Sequence, residues 1–245
     1  LFGRFAPLSA RRGEDGRPYL VVRPYGAGLA SPSLPSLSMT ALVVTVLATV
    51  SFDGFSESPA WARLSGLGLG LLYDIGFVAA FGYVAAQSLV KTAGLLLAPL
   101  VFAALYLAAC RISARLDGRD TGEIARRVVL SLTPIAIGYH FAHYFSYVLI
   151  QGQMIVPLAS DPFGFGWNLF GAAGRPLDID AVDMRLVWLA AVGGVVAGHA
   201  AAVLLAHRAA LGMPMRLAAQ MPLVVLMIGY TLTSLWILSQ PIVAH

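Results

Sequence analysis

Charge is what this chain has least of: of 245 residues only 11% are Asp, Glu, Lys or Arg, against 58% hydrophobic residues and a mean hydropathy of +0.78. Soluble domains carry about 25% charged and roughly 45 to 50% apolar residues. A water-soluble globule is therefore excluded, and an all-α integral membrane protein is expected. Cysteine is nearly absent as well. Cys110 alone cannot form an internal disulfide or a Cys-based zinc cluster. Basic residues outnumber acidic ones 16 to 12, yet they are dispersed between apolar runs without a reader motif, so nucleic acid is not an expected partner and membrane lipid is. No repeat period or heptad emerges. The basic, apolar and cleavage-site order of a signal peptide is missing from LFGRFAPL, and the sequence opens on Leu1, so a preceding segment is expected.

What the chain does have is long apolar runs. A helix needs about 20 residues to cross a hydrocarbon core of ~30 Å. Residues 92–110, 128–150, 186–206 and 221–239 are long enough, and 37–52 is a shorter uninterrupted run. Residues 1–36, rich in Pro, Gly and Ser, read as an arm, and 37–245 as a single polytopic membrane domain. The stretch 61–90 is apolar but glycine-rich and contains Asp74. Charge decides how to place it. If 61–90 does not cross, twelve of the sixteen Lys and Arg residues fall on one side and four on the other; if it crosses, the split is eight to eight. The positive-inside bias favours the first arrangement: a bundle of about five transmembrane helices, a cytoplasmic amino-terminal arm, and 61–90 as a partly helical re-entrant or interfacial layer on the outer side. The loop 151–185, with Asp161, Asp178, Asp180 and Asp183, then lies outside. Its Trp167 and the run DPFGFGW suit a membrane interface.

Ionisable residues inside spans are the best functional lead, because burying them is costly and they usually face a bundle interior or a wet cavity. Thr133, His140, His143, Tyr144, Tyr147 and Gln151 fall along one helical face of 128–150. Pro134 removes a backbone donor near Thr133. His199 lies on the fourth long run, and Tyr230, Thr233 and Ser234 share a face of the last. Counting 1.5 Å per residue, His199, Tyr230 and His140 lie roughly 10, 13 and 18 Å from the cytoplasmic ends of their spans, and His143 about 10 Å from the outer end. Two constellations follow: a mid-membrane set of His140, His199 and Tyr230, and an outer set of His143, Asp53 and Asp161. Imidazoles with carboxylates suit a divalent metal that activates water, and two facing imidazoles suit haem. The blander role for a histidine in a span is a hydrogen bond to a neighbouring helix. Gly194 and Gly198 form a GxxxG, expected to pack closely on another helix. Gly66, Gly68 and Gly70 lack the strand and helix of a phosphate loop. His207 at a span end and His245 at the end of the sequence read as interfacial and solvated.

The runs AHYFSYVLIQGQ, SDPFGFGWNLFG, RPYGAG, SLSMTA, FDGF, GHAAAVLLAHRAA and LVVLMIGYTLTSLWILSQPIV resemble the fenitrothion hydrolase family of bacterial membrane proteins, membrane-bound organophosphate hydrolase subunits. The resemblance covers most of the chain outside 61–90. It implies hydrolysis of an aryl phosphorothioate triester in a bacterial inner membrane, and it draws attention to Asp53, His143, Gln151, Gln153, Asp161, Trp167 and His199. The expected hydrolytic site uses His143 as metal ligand or base and Asp53 and Asp161 as further ligands. A second membrane subunit, or a segment preceding Leu1, would complete the ligand set. Two other readings stand beside it: a small-solute transporter lined by the polar stripe, and a redox subunit holding haem between His140 or His143 and His199.

Overall fold

The computed structural model describes residues 1–12, 16–31, 33–212 and 215–243. Helices dominate because lipid offers no hydrogen bonds to the backbone, so each crossing segment must satisfy its own amides. Among the described residues five helical segments are long and apolar enough to cross a membrane: Leu37–Phe55, Tyr83–Asp117, Thr121–Ser160, Met184–Leu211 and Leu217–Gln240. The expected all-α bundle of five spans is the observed one.

The arm begins with a short helix α1 (Phe2–Phe5) and an antiparallel hairpin of β1 (Leu8–Arg12) and β2 (Pro18–Val22), in register from Leu8 opposite Val22 to Arg12 opposite Pro18. Arginines tie it together through backbone carbonyls, Arg4 to Gly28 and Arg23 to Ala6 and Gly3. Leu29 anchors it in a core shared with Val43, Tyr106 and Ile124. The helices then follow as α2 (Leu37–Phe55), α3 (Pro59–Asp74), α4 (Phe77–Phe81), α5 (Tyr83–Asp117), α6 (Thr121–Val128), α7 (Leu132–Gln151), α8 (Ile155–Ser160), α9 (Met184–Leu211) and α10 (Leu217–Val243). Side-chain caps set several starts: Ser36 accepts from the Met39 amide, Ser58 from Trp61, Asp120 from Glu123 and Asp183 from Arg185 and Leu186. One end of the bundle holds α6 and the loop between α9 and α10. There Asp117 accepts from the Arg216 amide and pairs with Arg119; this is the arginine-rich end.

Residues 61–90 are helical, as expected, but divided differently. Gly76 (φ 77°) and Gly82 (φ 86°) break the chain, since only glycine adopts these angles without strain. From Tyr83 onward nothing stops the helix until Gly118, so 83–90 join the span 92–110 in one 35-residue helix. Phe52 and Trp61 both seat on Gly94, where a Cβ would collide with their rings. The end of α2 is thus level with Gly94, and α5 continues past it by roughly 16 Å at the rise of an α-helix. The α3 helix packs along this extension through Gly68 and Val90 but buries none of its own residues. Leu64, Leu67 and Leu71 are exposed.

The tightest helix crossing joins α7 to α9. A Cβ on Gly138 would sit 2.6 Å from the Gly194 carbonyl, and one on Gly198 2.7 Å from the Pro134 carbonyl. The GxxxG therefore does what its spacing suggests and lets two backbones touch. A 3-10 turn at Val129–Ser131 precedes α7, so that Pro134 falls in the first turn, where its missing amide breaks no internal bond.

Candidate functional site

Asp53 lies in the last turn of α2, where the partial negative charge of a helix carboxyl end disfavours an anion. It needs donors, and α7 supplies two. The Nε2 of His143 lies 3.2 Å from Asp53 Oδ2, and the Tyr144 hydroxyl donates to the same oxygen. The carboxylate remains 42% exposed while the imidazole is 13% exposed. The acid faces open space and the base stands behind it.

That open space is a cavity of about 650 Å³ between α2, α5 and α7. Asp53, Lys91, His140 and Tyr144 give it polar groups, with Ser88, Thr49 and Thr92 beside them, and Val46, Val50, Phe52 and Leu95 make its apolar walls. Of the α2 residues that line it, 46, 49, 50, 52 and 53, the set 46, 49 and 53 recurs at helical spacing on the face away from buried Val43, Leu47 and Ser51. The cavity is thus a groove on the outside of the bundle, floored by α2 and bordered by α5 and α7. It lies near one end of the spans.

His140 belongs to this groove, not to the mid-membrane set expected for it. Its ring packs on Tyr144 with centroids 4.6 Å apart. The reason is angular: α9 covers the Gly138 side of α7, and at 100° per residue His140 lies about 200° further round. His199 and Tyr230 do meet, with ring centroids 5.8 Å apart, but the residue of α7 on their side is Tyr139. His140 and His199 face different compartments.

Asp161 also departs from expectation. Its carboxylate accepts from the amides of Phe165 (3.0 Å) and Gly166 (2.9 Å), folding back on its own loop as Asp side chains do in turns. That turn presents Phe163, Phe165 and Trp167, whose rings pack edge to face or stacked. Gln153 clamps the same loop by donating to the Asp178 carbonyl and accepting from its amide, and Gln151 and Asp74 are exposed. Thr133 is buried and Tyr147 exposed, so the polar stripe of α7 spans two environments. Among the described residues no three of His, Cys, Asp and Glu are grouped to hold a metal ion. The structure joins His143 to Asp53 and leaves Asp161 apart. His207 lines a second, mainly apolar cavity of about 620 Å³ in the arginine-rich half of the bundle, and His245 lies outside the described residues.

Two participants escaped the sequence reading. Lys91 enters the sequence argument only as one of sixteen basic residues, although an ammonium amid apolar residues is itself a signal. No spacing distinguishes Tyr139 from the other aromatic residues of α7. No protein-family model, curated protein or solved structure matches the chain. What is established is an all-α membrane bundle with five candidate spans and a groove that carries Asp53, Lys91, His140 and Tyr144.

Proposed function

We propose that this chain is a membrane-embedded hydrolase, or the subunit of one, acting on an apolar ester such as an organophosphate triester. The supporting observation is Asp53, backed by His143, on the wall of a groove that also holds Lys91, His140 and Tyr144 and that we read as facing lipid. An apolar ester partitions into the bilayer and reaches such a groove laterally. Water entering from the nearby membrane surface adds to phosphorus as the aryl oxide departs; its proton passes to the Asp53–His143 pair, which acts as general base. Lys91 stabilises the negative charge that develops on the phosphoryl oxygen or sulfur, and His140 donates to the leaving oxygen. A divalent metal bound by Asp53 and His143 would need further ligands from water, substrate or a second subunit.

The test is release of a nitrophenol from an aryl phosphorothioate triester by purified protein in lipid nanodiscs. Asp53→Asn is expected to lower the rate by about 10²- to 10⁴-fold, the usual worth of a general base. A wild-type protein without activity on both phosphotriesters and carboxylic esters refutes the reading. The groove and the second cavity lie toward opposite ends of the bundle, which supports transport of a small solute as the second reading; flux in proteoliposomes that is lost with Asp53→Asn would replace the first. The excess of arginine at the α6 end supports a cytoplasmic placement for it and for the arm.

A further inference from the structure

Four helices meet behind the Asp53–His143 pair, and their meeting point is polar without being satisfied. The Tyr139 hydroxyl, Nε2 of His199 and Oγ of Ser234 are buried and have no hydrogen-bond partner among the described residues. Tyr139, Ser234 and His199 are 0%, 1% and 7% exposed. They lie at one crossing of helices. Tyr139 packs in a cluster with Val50 of α2, Val195 of α9 and Ile237 of α10, and a Cβ on Gly54 would strike its hydroxyl. His199 follows Val195 by one turn, Ser234 precedes Ile237 by one turn, and Tyr230 precedes Ser234 by another. Tyr230 itself is bonded to Ser51 Oγ at 2.7 Å.

The chemistry of the three atoms selects what could fill the gap. His199 Nδ1 lies 2.8 Å from the Val195 carbonyl. A carbonyl only accepts, so Nδ1 carries the proton and Nε2 of the neutral ring presents a bare lone pair that needs a donor. The two hydroxyls each offer both a donor and an acceptor. No carboxylate or second imidazole enters the set, which disfavours a cation, and the groups are too few and too polar for an apolar ligand. Water has both capacities, and a buried water is stable with two to four such partners.

We propose that this crossing of α2, α7, α9 and α10 is an internal water site, in which ordered water joins Tyr139, His199 and Ser234 to the Ser51–Tyr230 pair. Orphaned groups of this kind in native proteins call for a solvent partner, and in hydrocarbon no other solvent competes. Tyr139 is also the group nearest the catalytic pair on this side, its ring stacked on that of His143 with centroids 6.2 Å apart and 12° between planes. The site thus gives the pair a hydrated neighbour inside the bundle, separate from the lipid-facing groove.

Hydroxyl-radical footprinting with synchrotron X-rays tests this on the whole protein in nanodiscs, because radicals made from bound water label the ring beside it. Tyr139 is expected to be labelled despite full burial, with exposed Tyr25 as the reference. Tyr139→Phe is expected to lower Tm by roughly 2–4 °C, as loss of about 1 kcal/mol does in a protein of this size. His199→Leu is expected to reduce labelling at Tyr139; if that variant does not fold, the milder Tyr139→Phe and the wild-type footprint still decide. An unlabelled Tyr139 overturns the proposal, and so does a Tyr139→Phe variant of higher Tm, since removing a dry, unpartnered hydroxyl relieves its burial penalty. These readouts need no catalysis, so they stand whether or not the hydrolase reading does.

Discussion

Asp53 shows how position in an element creates chemistry. An acid in the last turn of a helix is destabilised by the backbone dipole, and the donors that offset this, His143 and Tyr144, are also the groups that hold one carboxylate oxygen and leave the other to the groove. Because Asp53 is 42% exposed, water can replace a lost donor. Tyr144→Phe is therefore expected to cost about 1 kcal/mol or less of stability, while altering the rate of hydrolysis more than Tm; thermal unfolding beside kinetics measures both. Asp161 makes the opposite forecast. Its bonds are to loop amides, so Asp161→Ala is expected to speed proteolysis within 161–183 and leave hydrolysis unchanged. A loss of activity as large as that of Asp53→Asn would return Asp161 to the site. Neither assignment follows from residue type, since both are aspartates near the same end of the spans.

At the scale of elements, glycine decides which helices touch. Gly138 has no room for a side chain against the Gly194 carbonyl, so Gly138→Val is expected to destabilise the bundle by about 1–3 kcal/mol, the usual range for overpacking, read as a lower Tm in detergent. The same contact rotates α7 so that Tyr139 turns inward and His140 outward. The GxxxG of α9 was visible in the sequence, but its partner was not, because Gly138 stands alone and a lone glycine in a span carries no directional signal. The α5 helix teaches a related lesson. Lys91 and Thr92 invite a boundary by polarity, yet backbone geometry breaks only at Gly82 and Gly118, where positive φ makes the break physical.

For the whole molecule, the end of the bundle opposite α6 is asymmetric. The α3 and α4 helices and the first turns of α5 expose apolar faces, and the 161–183 loop exposes Phe163, Phe165 and Trp167. Such surface is stable against lipid or another subunit and costly against water. Orientation has a direct test: in a Cys110→Ala background, Arg119→Cys is expected to stay unlabelled by an impermeant maleimide in intact cells, and Asp180→Cys to be labelled. The reverse pattern would invert the topology and place the groove at the cytoplasmic face.

The sequence by itself determined the membrane class and the five spans, because hydropathy is a sum over residues and helical rise is constant. It also groups His143 and Asp53 in one outer set, together with Asp161. Only the tertiary structure decided that these two pair, that Asp161 does not join them, that His140 and Lys91 share their groove and that Tyr139 takes the inner position. Those outcomes depend on the rotation of each helix about its axis. Rotation is settled by close contacts between residues far apart in the chain, such as Gly138 with Gly194 and Phe52 and Trp61 with Gly94, and no single span encodes it.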